Sequence, residues 1–150
     1  PAASGEAMSA ELSPADIDSL RGVGEILIID DEETVRDMVR GILEECGYTV
    51  HTSIDGKEGI EFFRENKGKI DLIILDMSMP GLSGRDVFIE LRKIEERVPV
   101  LLSSGFSQDN MFQETLTLGV DDFIQKPYSF SGLAEKVKKL ITGAPASRNH

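Results

Sequence analysis

The sequence predicts an α/β fold in which a parallel sheet of five β-α units carries helices on both faces. Three observations predict it. The runs Glu25-Ile26-Leu27-Ile28-Ile29 and Leu72-Ile73-Ile74-Leu75 are apolar without alternation, as strands buried on both faces require. Stretches with helical spacing of apolar residues recur between such runs, so strand and helix alternate along the chain. Both runs stop at acidic residues, Asp30-Asp31 and Asp76, where open α/β sheets hold their ligands.

The elements follow in order. After the first strand, Val35, Met38, Val39, Ile42, Leu43 and Cys46 recur at helical spacing, and Gly47 stops the helix. Residues 48–52 make a short second strand. Asp55-Gly56-Lys57-Glu58 reads as a capping box opening a helix that buries Ile60 and Phe63. The third strand ends at Asp76, and Met79-Pro80-Gly81 breaks the chain before a helix carrying Val87, Leu91 and Ile94. Pro99 precedes a fourth strand over residues 100–103. Ser107 can cap a fourth helix reaching about Leu118, and a short strand follows over residues 123–125. Ser129 or Ser131 starts the last helix, with Leu133, Val137, Leu140 and Ile141 on one face. Parallel strands joined this way need right-handed crossovers.

The ends differ from this body. Residues 1–23 are rich in Ala, Ser and Gly, with one candidate helical turn at Ser13-Pro14-Ala15-Asp16, and read as a linker or extension. Residues 142–150 read as a tail. The folded domain is therefore expected over residues 24–141.

Composition narrows the function. A chain of 150 residues with 40% hydrophobic and 29% charged residues is ample for one ordinary globular core. A net charge of -11 argues against a nucleic-acid surface, which needs a dense cationic footprint. No apolar stretch approaches the roughly 20 residues of a membrane span, and the start lacks a signal-peptide pattern. The one cysteine, Cys46, excludes an internal disulfide and fits a reducing compartment, so a cytoplasmic location is expected. Cys46 falls on an apolar helix face and reads as core. His51 and His150 have no metal or catalytic partner near them in sequence. Gly22-Val23-Gly24 precedes the first strand, on the wrong side for a dinucleotide loop.

Asp30, Asp31 and Asp76 gathered at strand ends would repel one another unless a cation joined them, so they point to a divalent metal beside a reactive carboxylate. An acidic pair at a helix N-terminus is also stabilised by the helix dipole, and Asp76 alone would pass for a turn residue. What tells against these plainer readings is the order of further residues: Ser104-Gly105 after the fourth strand and Lys126-Pro127 after the fifth. With Asp76 in Leu-Asp-Met-Ser-Met-Pro-Gly-Leu-Ser-Gly, these residues resemble the response-regulator receiver domains of two-component signalling systems. The resemblance covers about residues 24–141, and the motifs are highly specific in this order.

The resemblance implies a flavodoxin-like (βα)5 fold with strand order 2-1-3-4-5. It implies that Asp76 accepts a phosphoryl group from a histidine kinase or histidine phosphotransfer protein with Mg2+, or Mn2+ in its place. Asp31 and Asp76 would be direct ligands, with the Ser78 carbonyl beside them and Asp30 mostly through water. Ser104 would donate its hydroxyl to the phosphoryl group, a role for which Ser103 competes by position. Lys126 would supply the opposing positive charge, turned inward where the Lys126-Pro127 bond is cis. Phe123 would be the aromatic that follows Ser104 in a switch, against the plainer reading of a core or edge aromatic. Such a domain is regulatory rather than an enzyme, catalysing only its own phosphorylation and dephosphorylation. It is expected to be a monomer or weak dimer without nucleic-acid or membrane contacts of its own, and compatible with a stand-alone receiver or a hybrid-kinase receiver.

Ser78 and Phe106, each two residues beyond a site residue, are expected to overlook the path of a hydrolytic water, against the plainer reading in which Phe106 points to solvent or packs on the fourth helix. Neither carries a carboxamide or carboxylate that could orient it, which points to slow self-dephosphorylation. Two rival classes fit less well. A haloacid-dehalogenase-type phosphatase needs a second Asp where this chain has Ser78. A flavodoxin-like electron carrier needs a hydroxyl-rich phosphate loop where this chain has Asp30-Asp31-Glu32-Glu33.

Overall fold

Strand follows from residue type along the middle of the sheet: Ile, Leu and Val fill positions 26–29, 72–75 and 100–102, and their bulk suits a pleated surface covered on both sides. A computed structural model describes residues 18–77, 81, 83–104, 119–125 and 128–148, with residues 104, 125 and 143–148 described by backbone alone. Five strands, β1 (Glu25–Ile29), β2 (Thr49–Ser53), β3 (Leu72–Asp76), β4 (Val100–Ser104) and β5 (Asp122–Gln125), form one parallel sheet in the order β2-β1-β3-β4-β5. The described helices are α1 (Glu33–Glu45), α2 (Gly56–Glu65), α3 (Gly84–Ile94) and α4 (Phe130–Arg148). The helix expected over residues 107–118 lies outside the described residues. This is the flavodoxin-like fold expected from the sequence.

Strand alternation splits the core into two layers. Ile26, Ile28, Leu72, Ile74 and Leu101 face α1 and α4, packing on Val39, Leu43, Leu133 and Val137. Leu27, Ile29, Ile73, Leu75, Val100 and Leu102 face α2 and α3, packing on Phe63, Val87, Phe88 and Leu91. Met38, expected on the apolar face of α1, is 39% exposed because that face is narrower than the spacing suggested. Cys46 is fully buried, and burial pushes its thiol pKa up, with the Glu45 charge adding to it.

Capping fixes where the helices begin. Asp55 accepts from the Glu58 N–H at 2.8 Å, while the Glu58 carboxylate reaches back to the Ile54 N–H at 2.7 Å, a capping box shifted by one residue. Ser83 caps α3 by accepting from the Asp86 N–H at 3.2 Å. Of the two serines considered for the last helix, Ser129 is the cap, accepting from the Gly132 N–H at 2.9 Å. At the opposite end of the sheet, Asp71 accepts from the Glu25 N–H and Asp121 from the Val100 N–H, each at 2.8 Å. These two aspartates satisfy donors that begin β1 and β4, a structural use of carboxylates remote from Asp76.

Helical residues are found beyond both expected boundaries, at 18–20 and 142–148. The helix expected to stop at Ile141 continues to Arg148, through residues read as a tail. Thr142 donates to the Lys138 carbonyl at 2.7 Å and closes that turn. Residues 18–20, assigned to the linker by composition, are helical, and Leu20 is buried in the α1/α4 layer. The Ser19 carbonyl accepts from Lys138 on α4, and the Gly22 N–H donates to the Cys46 carbonyl at 2.9 Å. Composition detected the polar residues of this segment but not the single leucine that anchors it.

Gly22 is required by its neighbour. A Cβ there would lie 2.2 Å from the Tyr48 hydroxyl oxygen. That hydroxyl is buried and finds no hydrogen-bond partner among the described residues. Burial, reinforced by the nearby Cys46, pushes the Tyr48 pKa up to about 12 from 10.0. The neutral form is therefore favoured in the folded state. This contribution is complete below about pH 10, the unfolded value, and is lost as pH rises from there to about 12. At about 1.4 kcal/mol per pH unit the loss amounts to roughly 2–3 kcal/mol. Tyr48→Phe is expected to remove that alkaline loss while leaving stability at pH 7 unchanged or slightly raised, since it deletes an unpaired buried hydroxyl. Urea unfolding of both chains at pH 7 and pH 11 measures the difference; equal pH dependence would refute it.

Candidate functional site

The chain runs from β1 outward to β2, then returns past β1 to β3. The C-terminal ends of β1 and β3 thus flank the point where the winding reverses, and a crevice opens there. Asp30 and Asp31 follow β1 directly, and Asp76 is the last residue of β3. Their carboxylate oxygens converge to within 4.8 Å of one another. Asp30 and Asp76 are only 2% exposed, whereas Asp31 opens to solvent.

Backbone contacts set this geometry. The Asp30 N–H donates to the Ser53 carbonyl at 3.2 Å, extending the β1–β2 ladder one residue past β1. The Asp30 carboxylate accepts from the Glu32 N–H at 2.9 Å, an Asx turn that bends the chain into α1. Arg36, one turn into α1, donates to the Asp30 carbonyl at 2.8 Å and holds the bend from the other side. The sequence reading did not single out Arg36, although its position four residues after Glu32 is the available signal.

Behind Asp76 the packing leaves no room for a side chain. A Cβ on Gly84 would come within 2.7 Å of Met77 Cα and 2.9 Å of the Asp76 carbonyl oxygen. Glycine at the start of α3 therefore lets that helix close against the strand end. Gly81, in the preceding turn, has φ 82°, a left-handed conformation natural to glycine.

The carboxylates suit a hard divalent cation: all three donors are oxygens, two are sequestered from bulk water, and their convergence is electrostatically unfavourable without a counter-charge. Among the described residues, the remaining predicted positions divide as follows. Ser104 ends β4, one residue beyond Ser103, the ladder partner of Asp76. Ser103 is fully buried, and its hydroxyl is hydrogen-bonded to that of Tyr128. Phe123 on β5 is 40% exposed, with the Lys136 ammonium 5.9 Å from its ring centre and paired at 3.2 Å with Asp122. Ser78, Phe106, Lys126 and Pro127 lie outside the described residues. His51 is on β2, away from the carboxylates, with its Nε2 2.9 Å from the Glu25 carboxylate.

The sequence profile of the response regulator receiver domain matches residues 26–138. The chain belongs to the response regulator receiver domain family. This receiver domain is 32% identical over 117 residues to the response regulator SaeR of Staphylococcus aureus, covering 78% of the chain and 50% of that protein. It thus spans about half the length of the curated relative it matches. The crystal structure of a response regulator receiver domain protein from Clostridium thermocellum superposes with a TM-score of 0.75 at 32% identity, covering 79% of this chain and 94% of that one. The receiver domain of the hybrid histidine kinase CckA gives a TM-score of 0.67 at 35% identity, covering 79% and 99%. The receiver fold and the two-component family are therefore those expected from the strand-end residues. No helix among the described residues is long and apolar enough to cross a membrane.

Proposed function

We propose that this receiver domain accepts a phosphoryl group on Asp76 from a histidine kinase or a histidine phosphotransfer protein. The observation that carries the reading is the convergence of Asp30, Asp31 and Asp76 within 4.8 Å at the point where the winding reverses. An ionised Asp76 attacks phosphorus; an O–P bond forms as the N–P bond of the donor phosphohistidine breaks, and its electron pair returns to the imidazole. The Asp31 and Asp76 carboxylates and the Ser78 carbonyl, with Asp30 through water, would hold Mg2+, which when bound would offset the negative charge of the site and of the incoming phosphoryl group. Lys126 offers a compact positive charge to another phosphoryl oxygen, and Ser104 offers a hydroxyl. Engagement of Ser103 by Tyr128 supports Ser104 over its neighbour for that role. Phe123, half-exposed at the edge of the sheet, follows Ser104 inward when the switch is made.

The switch has a direct test. Beryllofluoride with Mg2+ should shift amide signals over residues 104–111 and 123–128, because a ligand changes a population only through contacts that differ between the two states. Shifts confined to Asp30, Asp31 and Asp76 would show binding without switching.

The lifetime of the aspartyl phosphate follows from Ser78 and Phe106. With neither able to orient a water, decay is slow, and Ser78→Asn or Phe106→Glu should quicken it by several-fold, on the order of a weak general-base contribution. Decay of the phosphorylated chain, followed by mass, measures this; identical half-lives in parent and both variants would sink the idea.

A further inference from the structure

Ser103 occupies a position where this strand otherwise carries only apolar residues before Ser104. It is the ladder partner of Asp76, and its carbonyl accepts the Met77 N–H at 2.8 Å, so it braces the peptide that follows Asp76. Leu101, two residues earlier, faces the α1/α4 layer, and alternation turns the Ser103 side chain to the same face. Leu72 and Ile74 put Asp76 on that face by the same rule. The Ser103 hydroxyl meets the hydroxyl of Tyr128, 6% exposed and packed in the same layer. Tyr128 lies two residues past Lys126, between the end of β5 at Gln125 and the cap of α4 at Ser129. One buried hydrogen bond therefore ties the segment after β5 to the strand end beside Asp76.

We propose that the Ser103–Tyr128 hydrogen bond is a positioning clamp for phosphoryl uptake, holding the chain at Tyr128, between β5 and α4, against the strand end that carries Asp76. The inference rests on the phosphoryl-accepting role of Asp76. Ser103 and Tyr128 are positioning residues; they act through the strand end at Asp76 and the chain that follows β5. A buried hydroxyl pair suits this task. Both residues are buried, so the bond has little competition from water. Valine or leucine at position 103 would fill the space without fixing Tyr128 along the strand direction.

The test compares the parent chain with Ser103→Ala, Tyr128→Phe, the double variant and Ser103→Thr. Uptake from acetyl phosphate at saturating Mg2+ is followed by mass, beryllofluoride affinity is measured in parallel, and Mg2+ affinity is read from the amide shifts of Asp30 and Asp31. Each single deletion should slow uptake and weaken beryllofluoride binding on the order of tenfold, as expected for small misplacement of a reacting constellation. Mg2+ affinity should hold, since its carboxylates are untouched. The double variant should be no slower than the slower single, because both deletions remove the same bond. Ser103→Thr, which restores the hydroxyl, should recover most of the rate. Tyr128→Phe keeps the ring and its packing, so it tests the bond even where Ser103→Ala perturbs the strand. Unchanged uptake in both single variants, or losses of uptake and Mg2+ affinity in equal proportion, overturns the clamp alone. Failure of the parent chain to take up phosphoryl, or uptake by Asp76→Asn, overturns the receiver chemistry and the clamp with it.

Discussion

Incubated with Mg2+ and acetyl phosphate, the chain is expected to gain one phosphoryl group, stable in acid and labile in base, and Asp76→Asn is expected to gain none. The carboxamide keeps the size of the side chain and loses the nucleophile, so the effect is all-or-none rather than graded. The proposed reading puts the group on Asp76 rather than on its neighbours. Asp76 ends β3 on the inner side of the crevice and is 2% exposed, its following peptide held by Ser103 on one side and crowded by Gly84 on the other. Asp31 is open to solvent. Chelation of the metal should stop the gain in the parent chain. Intact-mass measurement reads all three conditions, and a full gain by Asp76→Asn would move the acceptor elsewhere in the crevice.

The second large effect is on stability. Three carboxylates within 4.8 Å repel one another, and a divalent cation that binds only the folded arrangement stabilises it by mass action. At a Mg2+ concentration about a hundred times its dissociation constant the gain is about 2.7 kcal/mol, which raises the melting temperature of a domain this size by roughly 5–10 °C. Asp31→Asn should abolish most of that rise. Asp30→Asn should reduce it while leaving the metal-free chain at least as stable as the parent, since the amide oxygen can still accept from the Glu32 N–H and one charge is gone. Thermal melts with Mg2+ and with chelator decide it. A rise that survives in both variants would place the cation away from this crevice.

How much of this was legible before folding depends on whether the information was local. The unbroken apolar runs at residues 26–29 and 72–75 announced strands buried on both faces, because period and residue type are properties of a few neighbours. Asp55 and Glu58 announced the start of α2 for the same reason, although the glutamate bonds to Ile54 rather than to Asp55. The acidic strand ends pointed to the site because chain order and sheet rules together put them in one crevice. The limits of the domain were less legible. Leu20 is one of several scattered apolar residues in the lead, with Leu12, Ile17 and Val23, and only packing with α1, α4 and Tyr48 singles it out. Likewise nothing in the spacing of α1 shows that Met38 falls beyond the edge of the buried stripe.

By itself, the sequence determined the fold class, the strand ends that matter and the acidic residues that gather there, since each follows from residue type over short distances. Tertiary structure alone decided which contacts make those residues a site. The bond between Ser103 and Tyr128 and the bare Cα of Gly84 against Asp76 join or fit groups whose meeting depends on packing. Ser103 and Tyr128 are 25 residues apart in the chain and meet only because β4 and β5 are neighbours. Short-range pattern fixes what each segment becomes, whereas the partners of a buried polar group are set by which segments the sheet brings side by side.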